Sequence, residues 1–79
     1  MEVIHESNHS RFVIVLEEHQ AELDYRLNGH DVDFCRTFVP PELRGKGVAE
    51  KLVRAGLTWA KAQQLNISAS CWYVQKFLK

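Results

Sequence analysis

This chain lacks most of the features that mark a specialised environment, and each absence removes a class of function. No apolar run approaches the roughly 18 residues that a membrane span needs, and no signal-peptide pattern is present. No membrane role is expected, therefore, and the expected location is cytoplasmic. Cysteine is scarce: Cys35 and Cys71 are too few for a disulfide framework, and their default in a reducing compartment is the free thiol. Net charge is absent too, because ten basic residues balance ten acidic ones. Without a global positive field, nucleic acid is not an expected partner. His5, His9, His19 and His30 have no Cys or acidic partner at metal-ligand spacing, so they read as surface residues and no metal site is expected. No repeat, low-complexity tract or linker divides the 79 residues. A single domain, 1–79, is expected, burying about 60–65% of the surface its unfolded chain exposes.

What is present reads as strands, a loop and a helix. Glu2 to Glu6 predicts a short strand, Ser7 to Ser10 a turn, and Phe12 to Leu16 a strand too apolar for an exposed edge. Glu17 to Gln20 turns the chain. Leu23, Tyr25 and Leu27 then alternate with charged and polar neighbours at a period of two, and Asn28-Gly29 is a strong hairpin signal leading into Val32 to Val39. Pro40 and Pro41 end the sheet, since neither can donate to a ladder. From Val48, Leu52, Ala55, Trp59 and Ala62 recur at helical spacing, with Ala49, Val53, Gly56 and Ala60 widening the stripe. Gly56 on the buried side predicts close packing on the sheet, and Asn66 is a candidate cap for the helix end. Ile67 to Cys71 predicts a strand parallel to Val32–Val39, and Trp72 to Lys79 a terminal helix. The expected class is α+β: a mixed, mainly antiparallel sheet, one long helix across it and a short C-terminal helix.

Between strand and helix lies Arg44-Gly45-Lys46-Gly47-Val48-Ala49. Glycines allow close backbone approach, and the first turn of a helix carries N–H groups without internal partners, so this segment suits a phosphate. The two better-known phosphate loops do not fit. No Gly-Lys-Ser/Thr occurs for a Walker loop, and a dinucleotide fingerprint from Gly45 would place Glu50 where a small residue is required. Arg44, Gly47 and Ala49 instead match Arg/Gln-x-x-Gly-x-Gly/Ala, the pyrophosphate-binding pattern of the GNAT superfamily of acyl-CoA-dependent N-acetyltransferases, which the chain resembles. The run Thr37 to Ala49 and the later Ser70-Cys71-Trp72-Tyr73-Val74 are similar, in order, to two segments of its minimal, cysteine-bearing branch.

That resemblance implies acetyl-CoA or CoA held by Gly45, Lys46, Gly47, Val48 and Ala49 with Arg44 at the rim, and the thioester in a gap between splayed parallel strands, near Phe38, Val39 and Cys71. Cys71, at a strand end before a helix, is either a nucleophile that takes the acetyl group or a small residue lining the thioester pocket. Tyr73 is either the general acid for the departing CoA thiolate or a core tyrosine. Trp72 reads as packing and Cys35 as a buried structural thiol. Arg36 stands before Thr37, where many relatives carry histidine; it is no base near neutral pH, which leaves Glu42 or water as the base, or a lost activity. Arg36 itself then has either an acceptor carboxylate or phosphate to neutralise or a sheet-face salt bridge to Asp24 or Asp33. Superfamily members also have helices after the first strand that cover the acceptor, and Glu6 to Ser10 leaves room only for a turn. The implied activity is acetyl transfer to a primary amine, on a protein or peptide where the acceptor side is open. The alternative is a non-catalytic CoA-binding or protein-interaction module. The sequence carries no mark of an oligomeric state.

Overall fold

The computed structural model describes residues 1–78. Five strands, β1 (Ile4–Glu6), β2 (Arg11–Leu16), β3 (His19–Asn28), β4 (Asp31–Phe38) and β5 (Asn66–Ala69), form one sheet in sequence order. The first four run antiparallel and β5 lies parallel to β4. Between β4 and β5 come a 3-10 turn, Pro41–Leu43, and the long helix α1 (Val48–Ala62); α2 (Trp72–Gln75) follows β5. The expected α+β class and the parallel β4–β5 pairing both hold.

One face of the sheet makes the core. Phe12, Ile14, Ala21, Leu23, Tyr25, Val32 and Phe34 meet Val48, Leu52, Val53, Leu57 and Ala60 of α1, with Leu43 and Val74 in the same buried cluster. Each buried Val, Leu, Ile or Phe among them contributes about 1.5–3 kcal/mol on removal from water. Residues from both α-helices and the 3-10 turn all join this cluster, so they lie on one side of the sheet. Gly56 is where the helix comes closest: a Cβ there would stand 2.9 Å from Leu23 Cδ2 and from Phe34 Cε1.

Several local expectations are corrected. The β2–β3 turn is only Glu17-Glu18, both left-handed at φ 54° and 65°, so β3 starts at His19. The next hairpin loop is Gly29-His30, with Asn28 paired to Asp31. Leu27 ends the β3 alternation exposed, and Ala62 faces solvent while Leu57 takes a buried place on α1. The helix stops because Gln64 turns left-handed (φ 58°) and Leu65 N–H reaches back to the Ala60 carbonyl at 3.0 Å. Asn66 is no cap; it opens β5, its side-chain amide donating to Asp31 at 3.0 Å. The last helix is a single turn ending at Gln75, shorter than expected: Lys76 and Phe77 form a turn and Leu78 is irregular, while Lys79 lies outside the described residues. Trp72 is 70% exposed, so it does not pack in the core.

His5 also departs from its expected surface role. Its ring stacks on Phe12 at 4.1 Å, meets Trp59 edge-on at 4.9 Å and shares a 2.6 Å hydrogen bond with the Tyr25 hydroxyl. Burial lowers its pKa from the ordinary 6.5.

Two consequences are measurable. Gly56→Ala gains up to about 1 kcal/mol of helix propensity but meets overpacking of about 1–3 kcal/mol against Leu23 and Phe34; its urea midpoint should fall, and a rise would mean that the helix is free to lift. For His5, the unfolded chain binds the proton more readily than the folded one, so its contribution is complete above pH 6.5 and is lost as pH falls from there through the lower folded value. The urea midpoint should therefore drop below that pH, and drop less in His5→Asn.

Candidate functional site

A bulge and a fork set the site. Phe34 pairs with Tyr25 but Arg36 pairs with Asp24, which leaves Cys35 as an extra residue in β4. One extra residue reverses which face the following side chains address. Without it Arg36 and Phe38 would continue the core face of Val32 and Phe34. With it Thr37, opposite buried Leu23, and Val39 turn toward the helix side. Cys35 itself is half-buried, not fully buried, with its sulfur 3.6 Å from the Asp24 carbonyl.

The fork is the point where β5 stops. Its ladder with β4 runs from Asp31–Asn66 to Phe34–Ala69, and a last bond of 3.1 Å joins Cys71 N–H to the Phe34 carbonyl. Ser68 and Ser70 close the apex by donating to the two oxygens of Asp33, at 3.2 and 2.7 Å. Beyond it β4 continues to Phe38 paired only with β3, while the chain after β5 turns into α2, pinned by Gln75 to the Ala69 carbonyl at 2.9 Å.

Two adjoining recesses occupy the space so opened. One, of about 280 Å³, is lined by Thr37, Val39, Arg44, Ala49, Cys71, Trp72 and Tyr73. The other, of about 220 Å³, lies over the start of α1 and is lined by Val39, Leu43, Arg44, Gly45, Gly47, Val48, Ala49, Glu50 and Tyr73. Val39, Arg44, Ala49 and Tyr73 line both, so the recesses form one groove from the glycine loop to Cys71. Gly47 is the N-cap of α1 at φ 75°, and no side chain caps the helix. The N–H groups of its first turn therefore keep their donor capacity. A Cβ at Gly47 would touch nothing within 4 Å; the left-handed backbone, and not crowding, is what calls for glycine. Arg44 has no carboxylate partner among the described residues; its Nε donates to the Val39 carbonyl at 3.2 Å, leaving its charge available to the groove.

Of the expected cofactor residues, Val39, Arg44, Gly45, Gly47, Val48 and Ala49 come together here. Phe38 and Lys46 do not line either recess. The bulge sends Phe38 to the opposite face, where the Arg36 guanidinium lies 5.3 Å above its ring. Lys46 reaches Glu17 at the β2–β3 hairpin tip, 3.3 Å away. Arg36 donates to Glu22 and Asp24 at 3.0 and 3.1 Å, not to Asp33. Glu42 stands 3.8 Å from His19 and lines neither recess.

Cys71 and Tyr73 both line the groove. Burial pushes the Cys71 thiol up, but the Thr37 hydroxyl and the backbone N–H groups of Val74, Tyr73 and Thr37 outweigh it, so its pKa is lowered. The N–H groups of Tyr73 and Val74 belong to the first turn of α2, so the start of this short helix contributes to the lowering. Burial, and after it the Glu50 charge, raises the Tyr73 phenol, which keeps its proton at neutral pH. Sequence reasoning passed over Glu50, which lines the recess over the start of α1 with its carboxylate bound to Arg54 at 2.7 Å. It also gave no role to Thr37, whose hydroxyl lies 3.4 Å from the Cys71 sulfur.

A sequence profile described as GCN5-related N-acetyl-transferase matches residues 11–79. The chain belongs to that family. Among its relatives, protein NATD1 of Gallus gallus is 33% identical over an alignment covering all of this chain and 74% of that protein. Protein NATD1 of Bos taurus is 34% identical, covering 80% of this chain and 68% of that one. The solution structure of a GCN5-like protein from Staphylococcus aureus superposes with a TM-score of 0.74 at 31% identity, covering 98% of this chain and 76% of the other. Proteins of this fold generally use acetyl-CoA, which accords with the strand, glycine loop and helix described above. No helix among the described residues is long and apolar enough to cross a membrane.

Glu50→Gln removes the negative charge that disfavours the Tyr73 phenolate. The Tyr73 pKa, followed by NMR with ring-labelled tyrosine, should fall toward the ordinary value while remaining above it because burial persists. No movement would show that the Glu50 charge does not reach the phenol.

Proposed function

We propose that this chain, as one domain 1–79, binds acetyl-CoA and transfers its acetyl group to a primary amine. The continuous groove from the uncapped start of α1 to Cys71 carries this reading. At one end, the N–H groups around Gly45, Gly47, Val48 and Ala49, with the unpaired Arg44 charge, suit a pyrophosphate. At the other, Val39 and Cys71 flank the fork where an extended acyl-thioester arm would lie. Glu50 is the one like charge facing the phosphates, and its bond to Arg54 draws it aside. Acetyl-CoA supplies the activated acetyl thioester and a thiolate leaving group. This chain supplies the rest.

In this reading Cys71 is the nucleophile. Its thiolate sulfur attacks the acetyl carbonyl carbon, a new carbon–sulfur bond forms, and the bond to the CoA sulfur breaks. Tyr73, protonated and beside the same recess, gives its proton to the departing thiolate. A neutral amine then attacks the acetyl group on Cys71; an amide forms, the Cys71 thiolate leaves, and the proton lost by the amine returns to Tyr73 through water. Arg36 is held on the opposite face by Glu22 and Asp24, so it has no part in moving protons at the sulfur. Acceptors on proteins or peptides suit the missing cover between β1 and β2. Free thiols at Cys35 and Cys71 agree with a reducing, cytoplasmic setting.

A second reading, a CoA-binding or protein-interaction module without turnover, draws on the position of Arg36 and on the lack of a histidine among the residues lining either recess. One titration, followed by amide NMR, separates cofactor binding from its absence. Acetyl-CoA should shift the resonances of Gly45 to Ala49. Gly47→Glu should weaken binding roughly tenfold to a hundredfold, whereas Lys46→Gln, outside the groove, should change it little. Equally flat titrations of wild type and Gly47→Glu at millimolar ligand would remove acetyl-CoA from the account. Release of one equivalent of CoA without amine, and continued release only when a primary amine is added, distinguishes transfer from mere binding.

A further inference from the structure

We propose that Thr37 is the positioning residue of this site: its hydroxyl donates to the Cys71 sulfur and stabilises that sulfur in its anionic form at the fork. The inference rests on the reading of Cys71 as nucleophile and adds how the chain prepares it. Thr37 Oγ1 and Cys71 Sγ are 3.4 Å apart, across the gap between the part of β4 that β5 no longer pairs and the end of β5, and both line the same recess. When the sulfur carries no proton it can only accept, so the hydroxyl must be the donor. Thr37 is aimed there by the extra residue Cys35; an unbulged β4 would present Arg36 to the core side and Thr37 to the open face. A β-branched side chain with few χ1 choices holds that aim.

The charged and titratable groups around the sulfur come from three elements. Arg44, in the loop after the 3-10 turn, lines the same recess, as does Tyr73 of α2. Glu50 of α1 lines the adjoining one. Lys76 stands 4.9 Å over the Tyr73 ring. On β4 itself Arg36 is bound on the far face. Thr37 is the side chain that touches the sulfur directly, and it carries no charge, so its effect is separable from theirs by substitution.

The measurement is the rate of iodoacetamide alkylation of Cys71, read by mass spectrometry of its peptide from about pH 6 to about pH 10 in the full chain. Thr37→Val keeps the shape and loses the donor. Its profile should move to higher pH, slowing Cys71 roughly fivefold to tenfold at neutral pH. Near the alkaline end its rate should equal or exceed wild type, because a more basic thiolate is the better nucleophile. Thr37→Ser keeps the hydroxyl but loses the β-branch that aims it, so its profile should lie between those of Thr37→Val and wild type, nearer wild type. A Thr37→Val profile superposed on wild type overturns the proposal, as does equal slowing at every pH, which would mean altered access. The nucleophile reading is tested separately: if Cys71→Ala transfers acetyl as fast as wild type, that reading fails whatever the alkylation profiles show.

Discussion

The parallel pairing of β4 with β5 holds for only four residue pairs, and the site depends on where it ends. A longer ladder would fill the gap with backbone hydrogen bonds and leave no room for a ligand between the strands. A shorter one would not hold β5 or seat Cys71. Asp33, caught by two serine hydroxyls, marks the end of pairing on one face, and Cys71 N–H on the Phe34 carbonyl marks it along the strands. On the other side of β4, at the same level, Cys35 is the residue too many. The strand thus loses its parallel partner and changes phase within two residues, and both changes bring side chains of unlike origin onto one groove.

Most of the architecture was legible in the chain because two periodicities coexist without conflict. Alternation through Leu23 and Tyr25 and the four-and-three spacing from Val48 belong to different segments, and two prolines separate them. The loop was legible because glycine at a left-handed N-cap leaves a sequence mark. The turn after β2 was legible, but its length was not: it is only Glu17-Glu18, both at positive φ although neither is glycine or asparagine, held by the register that the flanking strands impose. The bulge was equally silent, and its consequence is specific. Phe38 and Val39 look equivalent in sequence as the last residues before the prolines, but only Val39 reaches the groove. Lys46 looks like a phosphate ligand and is claimed by Glu17 from a hairpin remote in sequence. Glu50 and Thr37 went unassigned because their roles come from tertiary neighbours.

Zero net charge conceals an uneven arrangement. Along the uncovered face Glu6, Arg11, Glu22, Arg36 and Asp24 form a chain of contacts, each opposite in sign to the next. Exposed pairs of this kind add little to stability one by one. What they do is occupy the arginines, so that Arg36 is tied down on the sheet and Arg44, across the strand, is left without a counter-charge. An anion approaching the groove meets a cation that has no carboxylate partner among the described residues, and it lies beside the open end of a helix.

Gly56 sits nine residues along α1 from the Gly47 cap, about 13 Å at the usual rise per residue. The helix is a stiff rod resting at that point on Leu23 and Phe34, and its other end holds the donors of the loop. The contact is a fulcrum. Phe34 bears on both ends of the arrangement, since its ring supports the helix and its carbonyl holds Cys71. Core volume and ligand geometry are therefore not independent variables in this small domain: repacking under the middle of the helix tilts its tip, and the affinity of the loop becomes a readout of how well the core is filled.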